Sequence, residues 1–284
     1  MNITSHILSG AGRAAGSWKW ILISWFITLI MVGMVVFPLK SGIVDMLGSS
    51  MITEKLRDGI DLDVLANSGT GLTILSSFLT YGIIIVILVS FLLNIFLSGG
   101  FFDVLRRKES DVKQRGFFGA SSSNFWSFLV ISILVRLMIN IISFLLIGLP
   151  LIILATGGSG SDVPKILMVT GTIFLVILPV FLLITDYARA WQASSPKKDA
   201  IRALGNGFRY TFRHFFSSWL MMFLILVIQI GFTALVFIII SGMKPVTGVG
   251  IFLMFLLSQI LFIIKIYLRT WRYGIITSKF EAHS

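Results

Sequence analysis

The sequence predicts an all-α fold: a polytopic integral membrane protein whose six transmembrane helices form three antiparallel hairpins, with amphipathic lead-in helices lying in the membrane interface. Three observations carry this. Hydrophobic residues make up 56% of the chain and charged residues only 12%, where a soluble domain carries about 25% charged residues; mean hydropathy is +0.97. Six apolar runs, near 18–39, 72–97, 125–153, 164–185, 217–241 and 246–268, have the length needed to cross about 30 Å of hydrocarbon, roughly 20 helical residues. The runs are continuous, whereas a membrane barrel alternates in segments of about ten. One membrane domain, 1–284, follows, with hairpins over 18–97, 125–185 and 217–268.

In chain order, Ile3, Ile7, Ala11, Ala14 and Trp18 fall on one side of a faint lead-in helix. SGAGRAAG (9–16) lacks the glycine spacing of a dinucleotide site and follows no strand, so its small residues read as packing. The first apolar run is too long for a signal peptide and lacks a small-residue cleavage site, so it is expected to remain as an anchor. Residues 40–71 form an external segment with five acidic and three basic side chains, in which Met46, Leu47, Met51, Ile52, Leu56 and Ile60 suggest a short amphipathic helix. Asp58, Asp61 and Asp63 lie there too, but without the alternating ligands and glycine of a calcium loop.

Helix 2 ends at LSGG (97–100), and 98–124 forms a cytoplasmic loop before helix 3. In helix 4, Pro179 is expected to kink the rod and Gly171 to permit close packing. The second cytoplasmic loop, 186–216, contains SSPKKDAIRALGNGFRYTFRHFF (194–216). Ser195 suits a cap and Pro196 a first helical position; Ile201, Leu204, Phe208, Phe212 and Phe215 then share one face beside a stripe of Lys198, Arg202, Arg209 and Arg213. That pattern describes a helix lying on the membrane surface. Gly205 and Gly207 each cost it about 1 kcal/mol relative to Ala.

Charge orients the chain. Seventeen Lys and Arg residues occupy the termini and the even-numbered loops, against five on the other side, with Arg136 inside a helix. The positive-inside rule places both termini in the cytoplasm, and the location expected is a bacterial cytoplasmic (inner) membrane. The net charge of +11 then reflects topology and anionic lipid headgroups, each nearby basic residue contributing about 1 kcal/mol. Nucleic acid is not an expected partner, because no recognised binding fold accompanies the charge.

Two of the hairpins look related. DYARAW (186–191) and IYLRTW (266–271) both close apolar runs, and a shift of 80 residues superposes Tyr187 on Tyr267, Arg189 on Arg269 and Trp191 on Trp271. A shift of 93 superposes Trp126 on Trp219 and Arg136 on Gln229. The difference falls in the external connection, where TGGSGSDVP (156–164) exceeds SGMKPVTG (241–248) and length changes are tolerated. A fainter copy, shifted by 108, puts Trp18 on Trp126. Parallel repeats result. Tyr187 with Trp191, and Tyr267 with Trp271, share a helix face and are expected to anchor at headgroup level. Arg189 and Arg269 between them point elsewhere, toward phosphates, and are candidates for a paired anion or lipid-headgroup site.

Arg136 is the third such candidate. It lies about 12–16 Å along its helix at 1.5 Å per residue, beyond comfortable snorkelling. Exposure to lipid there would cost about 2.5–3.5 kcal/mol, so it is expected to face the bundle or a wet cavity, in a polar cluster with Asn140 and Gln229 or against an anionic ligand. Asn94 and Gln259 are further polar groups at depth, read as interhelical hydrogen-bonding residues.

No reactive constellation appears. Cysteine is absent, which excludes disulfides, thiolate metal sites and cysteine nucleophiles. His6, His214 and His283 all fall on the cytoplasmic side, so the serines of GGSGS (157–161) have no base. None of the carboxylates lies mid-helix, Asp186 coming nearest, which weighs against a proton or sodium transporter. No catalytic residue, metal site or cofactor is expected.

The layout, with DYARAW followed by SSPKKDAIRALGNGF, resembles the poorly characterised six-helix bacterial membrane domains found alone or fused to glycerophosphodiester phosphodiesterases. The 13 residues after Trp271 hold no phosphodiesterase domain, so the resemblance implies a fold and no catalytic role. The expected function is a non-catalytic membrane subunit or scaffold of a bacterial envelope complex that binds anionic lipid. The alternative is a permease subunit for an anionic or amphiphilic substrate, using 98–124 and 186–216 to dock a cytoplasmic ATPase. Expected partners are membrane lipids and other membrane or cytoplasmic subunits.

Overall fold

The computed structural model describes residues 3–47, 70–106, 116–157, 163–196, 198–213, 215–243 and 247–282. Every regular element among them is a helix: α1 (Ile3–Gly16), α2 (Trp18–Leu47), α3 (Thr70–Val104), α4 (Phe117–Ser143), α5 (Leu149–Gly157), α6 (Val163–Ser194), α7 (Ala200–Arg213), α8 (Phe215–Gly242) and α9 (Gly248–Glu281). A single π turn, Phe144–Gly148, joins α4 to α5. It widens the rod just before Pro150, which has no N–H to give and crowds the preceding turn. Six helical rods, counting Phe117–Leu154 as one, are long and apolar enough to cross a membrane. The described residues are thus all-helical, with six rods suited by length and composition to a polytopic membrane protein. The amphipathic helix expected around 46–60 falls mostly outside the described residues, as do Asp58, Asp61 and Asp63, most of GGSGS, His214 and His283.

Several boundaries differ from expectation, in one direction. The supposed loops 98–124 and 186–216 are largely helix, because α3 runs on to Val104, α4 starts at Phe117, α6 continues to Ser194, and α9 reaches Glu281 instead of ending near 268. Apolarity marks where a helix can lie in hydrocarbon, not where its hydrogen bonding stops. The α7 cap also differs: Asp199 Oδ1 accepts from the backbone N–H groups of Ile201 and Arg202, both at 3.1 Å, while Ser195 and Pro196 lie in the connection. A carboxylate there satisfies free N–H groups and complements the helix dipole.

The structure comprises two compact units, 23–94 and the remainder. In the smaller one, Thr28, Met31 and Val32 of α2 face Val86, Val89, Ser90 and Leu93 of α3 across a narrow apolar gap. Thr28 returns its hydroxyl to Ser24 O at 2.7 Å.

The larger unit keeps its core near one end of its helices. Ile131 and Val135 of α4, Phe181, Ile184 and Ala188 of α6 and Ala203 of α7 form one buried cluster; Met221 and Ile225 of α8 pack with Ile275 of α9 in another. An aromatic layer completes it, with Trp20 stacked on Phe117 at 4.5 Å and Phe102 set against Tyr273 at 4.7 Å. Toward the other end large side chains stand exposed, Phe237 at 72% and Val249 at 72% among them, as suits lipid contact.

Three close backbone approaches lock this end. A Cβ on Gly207 would lie 2.5 Å from Ile184 O and 2.9 Å from Ala188 Cβ, so α7 rests directly on α6. A Cβ on Gly10 would collide with Ile275, and one on Gly274 would lie 2.7 Å from Gly10 O, so α1 crosses α9 in the same way. Gly99 and Gly100 of α3 admit Ser121 and Phe117 of α4. Small residues thus bring helices together where lipid offers no hydrophobic drive for association. Gly171, expected to do this, faces open space instead. On α7 the protein-facing stripe is Ala203, Gly207 and Thr211, which leaves Ile201 and Phe212 outward.

Candidate functional site

Among the described residues the interlocked end gathers many charged groups, and several have partners that can be followed. Arg13 of α1 pairs with Glu281 at 2.8 Å and donates to Leu105 O at 3.0 Å. Arg106 donates to Ala193 O at 3.2 Å, and Lys198 to Asn124 Oδ1 at 2.6 Å and Gln192 O at 3.0 Å. These cations satisfy carbonyls at helix ends, which the macrodipole also favours. A cavity of about 440 Å³ opens beside Ser9, Gly12, Arg13, Gly16, Ser17 and Arg106. Its two arginines are committed to those contacts.

Deeper in the same end, α6 and α9 bring together Asp186, Arg189, Arg269 and Arg272. Spacing explains it: Asp186 and Arg189, and likewise Arg269 and Arg272, are three apart and share a helix face. Asp186 is 1% exposed and Arg272 Nε lies 2.9 Å from its Oδ2. The contact is close without being aligned as a hydrogen bond, so Arg272 Nε and both carboxylate oxygens are buried without one. Arg272 also lies over the Tyr273 ring, 5.2 Å from its centroid. Arg189 Nη2 donates to Ser132 Oγ at 2.7 Å, its guanidinium sits 5.7 Å from the centre of the Phe128 ring, and its Nε is buried with no hydrogen bond. Arg269 is half-buried, and its electrostatic neighbours are Tyr273, Arg272 and Arg189.

The other candidates divide. Arg136 and Asn140 stand on the exposed side of α4 rather than facing the bundle as expected, because α4 buries the stripe Phe128, Ile131, Ser132 and Val135. Gln229 is half-buried and donates to Leu268 O on α9 at 3.1 Å. It ties two helices there, and no polar cluster with Arg136 and Asn140 is needed to account for it. Tyr187, expected at the headgroups, is 2% exposed with its hydroxyl 3.1 Å from Ser218 Oγ, and Trp191 packs against the α4–α6–α7 core. Tyr267 donates to Ala11 O at 3.5 Å and Trp271 to Ile7 O at 3.0 Å, holding α1 on α9. All four rings are engaged by protein, since the helices bearing them continue past the apolar runs. By contrast Trp126 is 73% exposed.

Arg272 is the residue that sequence reasoning passed over as one of many basic residues. Its signal was the RTWR spacing (269–272), and a carboxylate in the other run, Asp186, to answer it. Compared with protein-family models, with curated proteins and with solved structures, the chain matches none, so the reading of its function rests on its own residues.

Proposed function

We propose that the chain is a non-catalytic integral membrane subunit or scaffold of a bacterial envelope complex, set in the cytoplasmic membrane with both termini inside and binding anionic lipid. Its six spans cross as three hairpins. The observation that carries the reading is the concentration of packing and charge at one end: α1 and α7 seated by glycine on α9 and α6, around a group of arginines with too few carboxylates. A rigid basic platform suits a structural partner and a negatively charged leaflet. On α7, exposed Ile201 and Phe212 beside exposed Arg202, Arg209 and Arg213 suit an interfacial helix, apolar surface in the acyl boundary and cations at the headgroups.

Purification of the tagged chain from its membrane in mild detergent tests this. A fixed-stoichiometry envelope partner without a nucleotide-binding fold is expected. A stoichiometric ATPase would overturn the scaffold in favour of the permease.

A further inference from the structure

We propose that Arg189, Arg269 and Arg272, set around Asp186, form a binding site for a phosphate-bearing group of charge about −2, carried by a lipid headgroup or by a soluble phosphate ester. The inference deepens the lipid-binding part of the proposed function and rests on it.

Charge balance is the first ground. Among the described residues Glu281 pairs with Arg13, Asp199 with Arg202, and Asp186 with Arg272. Arg189 and Arg269 have no carboxylate of their own, so three guanidinium groups around one carboxylate leave two positive charges in a half-buried place. The electrostatic neighbours of Arg269 are Tyr273 and the like charges of Arg272 and Arg189, with no carboxylate among them. Removing such a group from water without a counter-ion is unfavourable, and a bound anion would supply the missing charge.

Preorganisation is the second. Arg189 is held from one side by Ser132 and from beneath by Phe128, with a buried Nε still free to donate. Arg272 is held by Asp186 and the Tyr273 ring. Asp186 would repel an anion at contact, but it is 1% exposed and faces Arg272, so it orients that arginine without closing the site. Arg269 is half-buried, which leaves it accessible from the surface. Planar guanidinium forks match phosphate oxygens two at a time. The two excess charges favour a phosphomonoester over a single phosphodiester.

The test uses the purified full chain and Arg269→Gln, with Arg136→Gln as a control on an arginine outside the cluster. Native mass spectrometry compares phosphatidic acid, phosphatidylglycerol and phosphatidylcholine, while calorimetry measures glycerol 3-phosphate. Phosphatidic acid is expected to bind best among the lipids, and Arg269→Gln to weaken it about tenfold or more, the loss of a charge-assisted hydrogen bond; Arg136→Gln should not. Tight binding of glycerol 3-phosphate with the same dependence on Arg269 assigns a soluble ester, and its failure beside bound phosphatidic acid assigns a lipid. If Arg269→Gln lowers the melting temperature, Arg269→Lys, which keeps the charge and loses the fork, should retain intermediate binding. Binding of every phosphate probe undiminished by Arg269→Gln, or no tighter than phosphatidylcholine, overturns the site and leaves the scaffold reading standing. A copurifying ATPase would defeat the scaffold without touching this result.

Discussion

Two glycines on one helix, two residues apart, should respond oppositely to the same substitution. Alanine at either position gains about 1 kcal/mol of helix propensity. At Gly205 the added methyl meets nothing within 4 Å, so the gain is retained. At Gly207 it would lie 2.5 Å from Ile184 O, 2.9 Å from Ala188 Cβ and 3.0 Å from Ala188 N, where heavy atoms prefer roughly 3.5–4.0 Å. The nearest obstacle is a backbone carbonyl of α6 and cannot rotate aside. Helix α7 must therefore retreat by about 1 Å, loosening Ala203 and Thr211, at an overpacking cost of about 1–3 kcal/mol. Because the propensity gain is common to both variants, the difference between them isolates the steric cost. Thermal unfolding of both in the same detergent, followed by circular dichroism, should place Gly205→Ala at or above the parent and Gly207→Ala several degrees below Gly205→Ala. Equal melting, or the reverse order, would refute the direct seating of α7 on α6.

Asp186→Asn should destabilise the chain strongly, by up to about 3–5 kcal/mol, because it strands Arg272 in a buried place; adding Arg272→Met should recover much of the loss, and a double variant no better than the single would refute the pairing. Tyr187→Phe should cost about 1 kcal/mol by leaving Ser218 without its 3.1 Å partner, measured as a lowered unfolding midpoint. Reporter fusions at Ser284 should behave as cytoplasmic and an insertion within 158–162 as external; the opposite pattern would reverse the orientation. Trp271→Phe should lower the unfolding midpoint by removing the 3.0 Å bond to Ile7 O, whereas the same change at the exposed Trp126 should leave it nearly unmoved.

The spans were legible because hydrocarbon imposes a length and a composition that no other environment asks for. The ends were not, because the same residues serve two purposes there. Ser98, Gly99 and Gly100 look like a helix stop, yet α3 passes through them, and the glycines admit α4, with a Cβ on Gly99 only 3.1 Å from Ser121 Cα. Tyr187 and Trp191 look like an interfacial belt because they follow an apolar run; only the continuation of α6 to Ser194 and the presence of α7 show that they are enclosed by protein. Arg189 and Arg269 stand out in the sequence through their repeated spacing, which by itself does not bring them together. Asp186 and Arg272 were visible as residues but not as partners, since no local pattern links positions on different helices.

The division between the helix ends has a physical cause. A helix in lipid gains little from burying leucine against leucine, because the acyl chains are equally apolar. What distinguishes protein from lipid is close backbone approach and polar pairing, and this chain places both where its helices leave the apolar runs: Gly10 with Gly274, Gly207 with Ile184, Trp271 with Ile7 and Asp186 with Arg272. Charges can gather there because the groups that answer them, helix-end carbonyls such as Leu105 O and Ala193 O, gather there too. Arg269 is the exception, a cation within the same packed end with no carboxylate among its electrostatic neighbours. A guanidinium set near two others is the feature that the proposed anion site would account for.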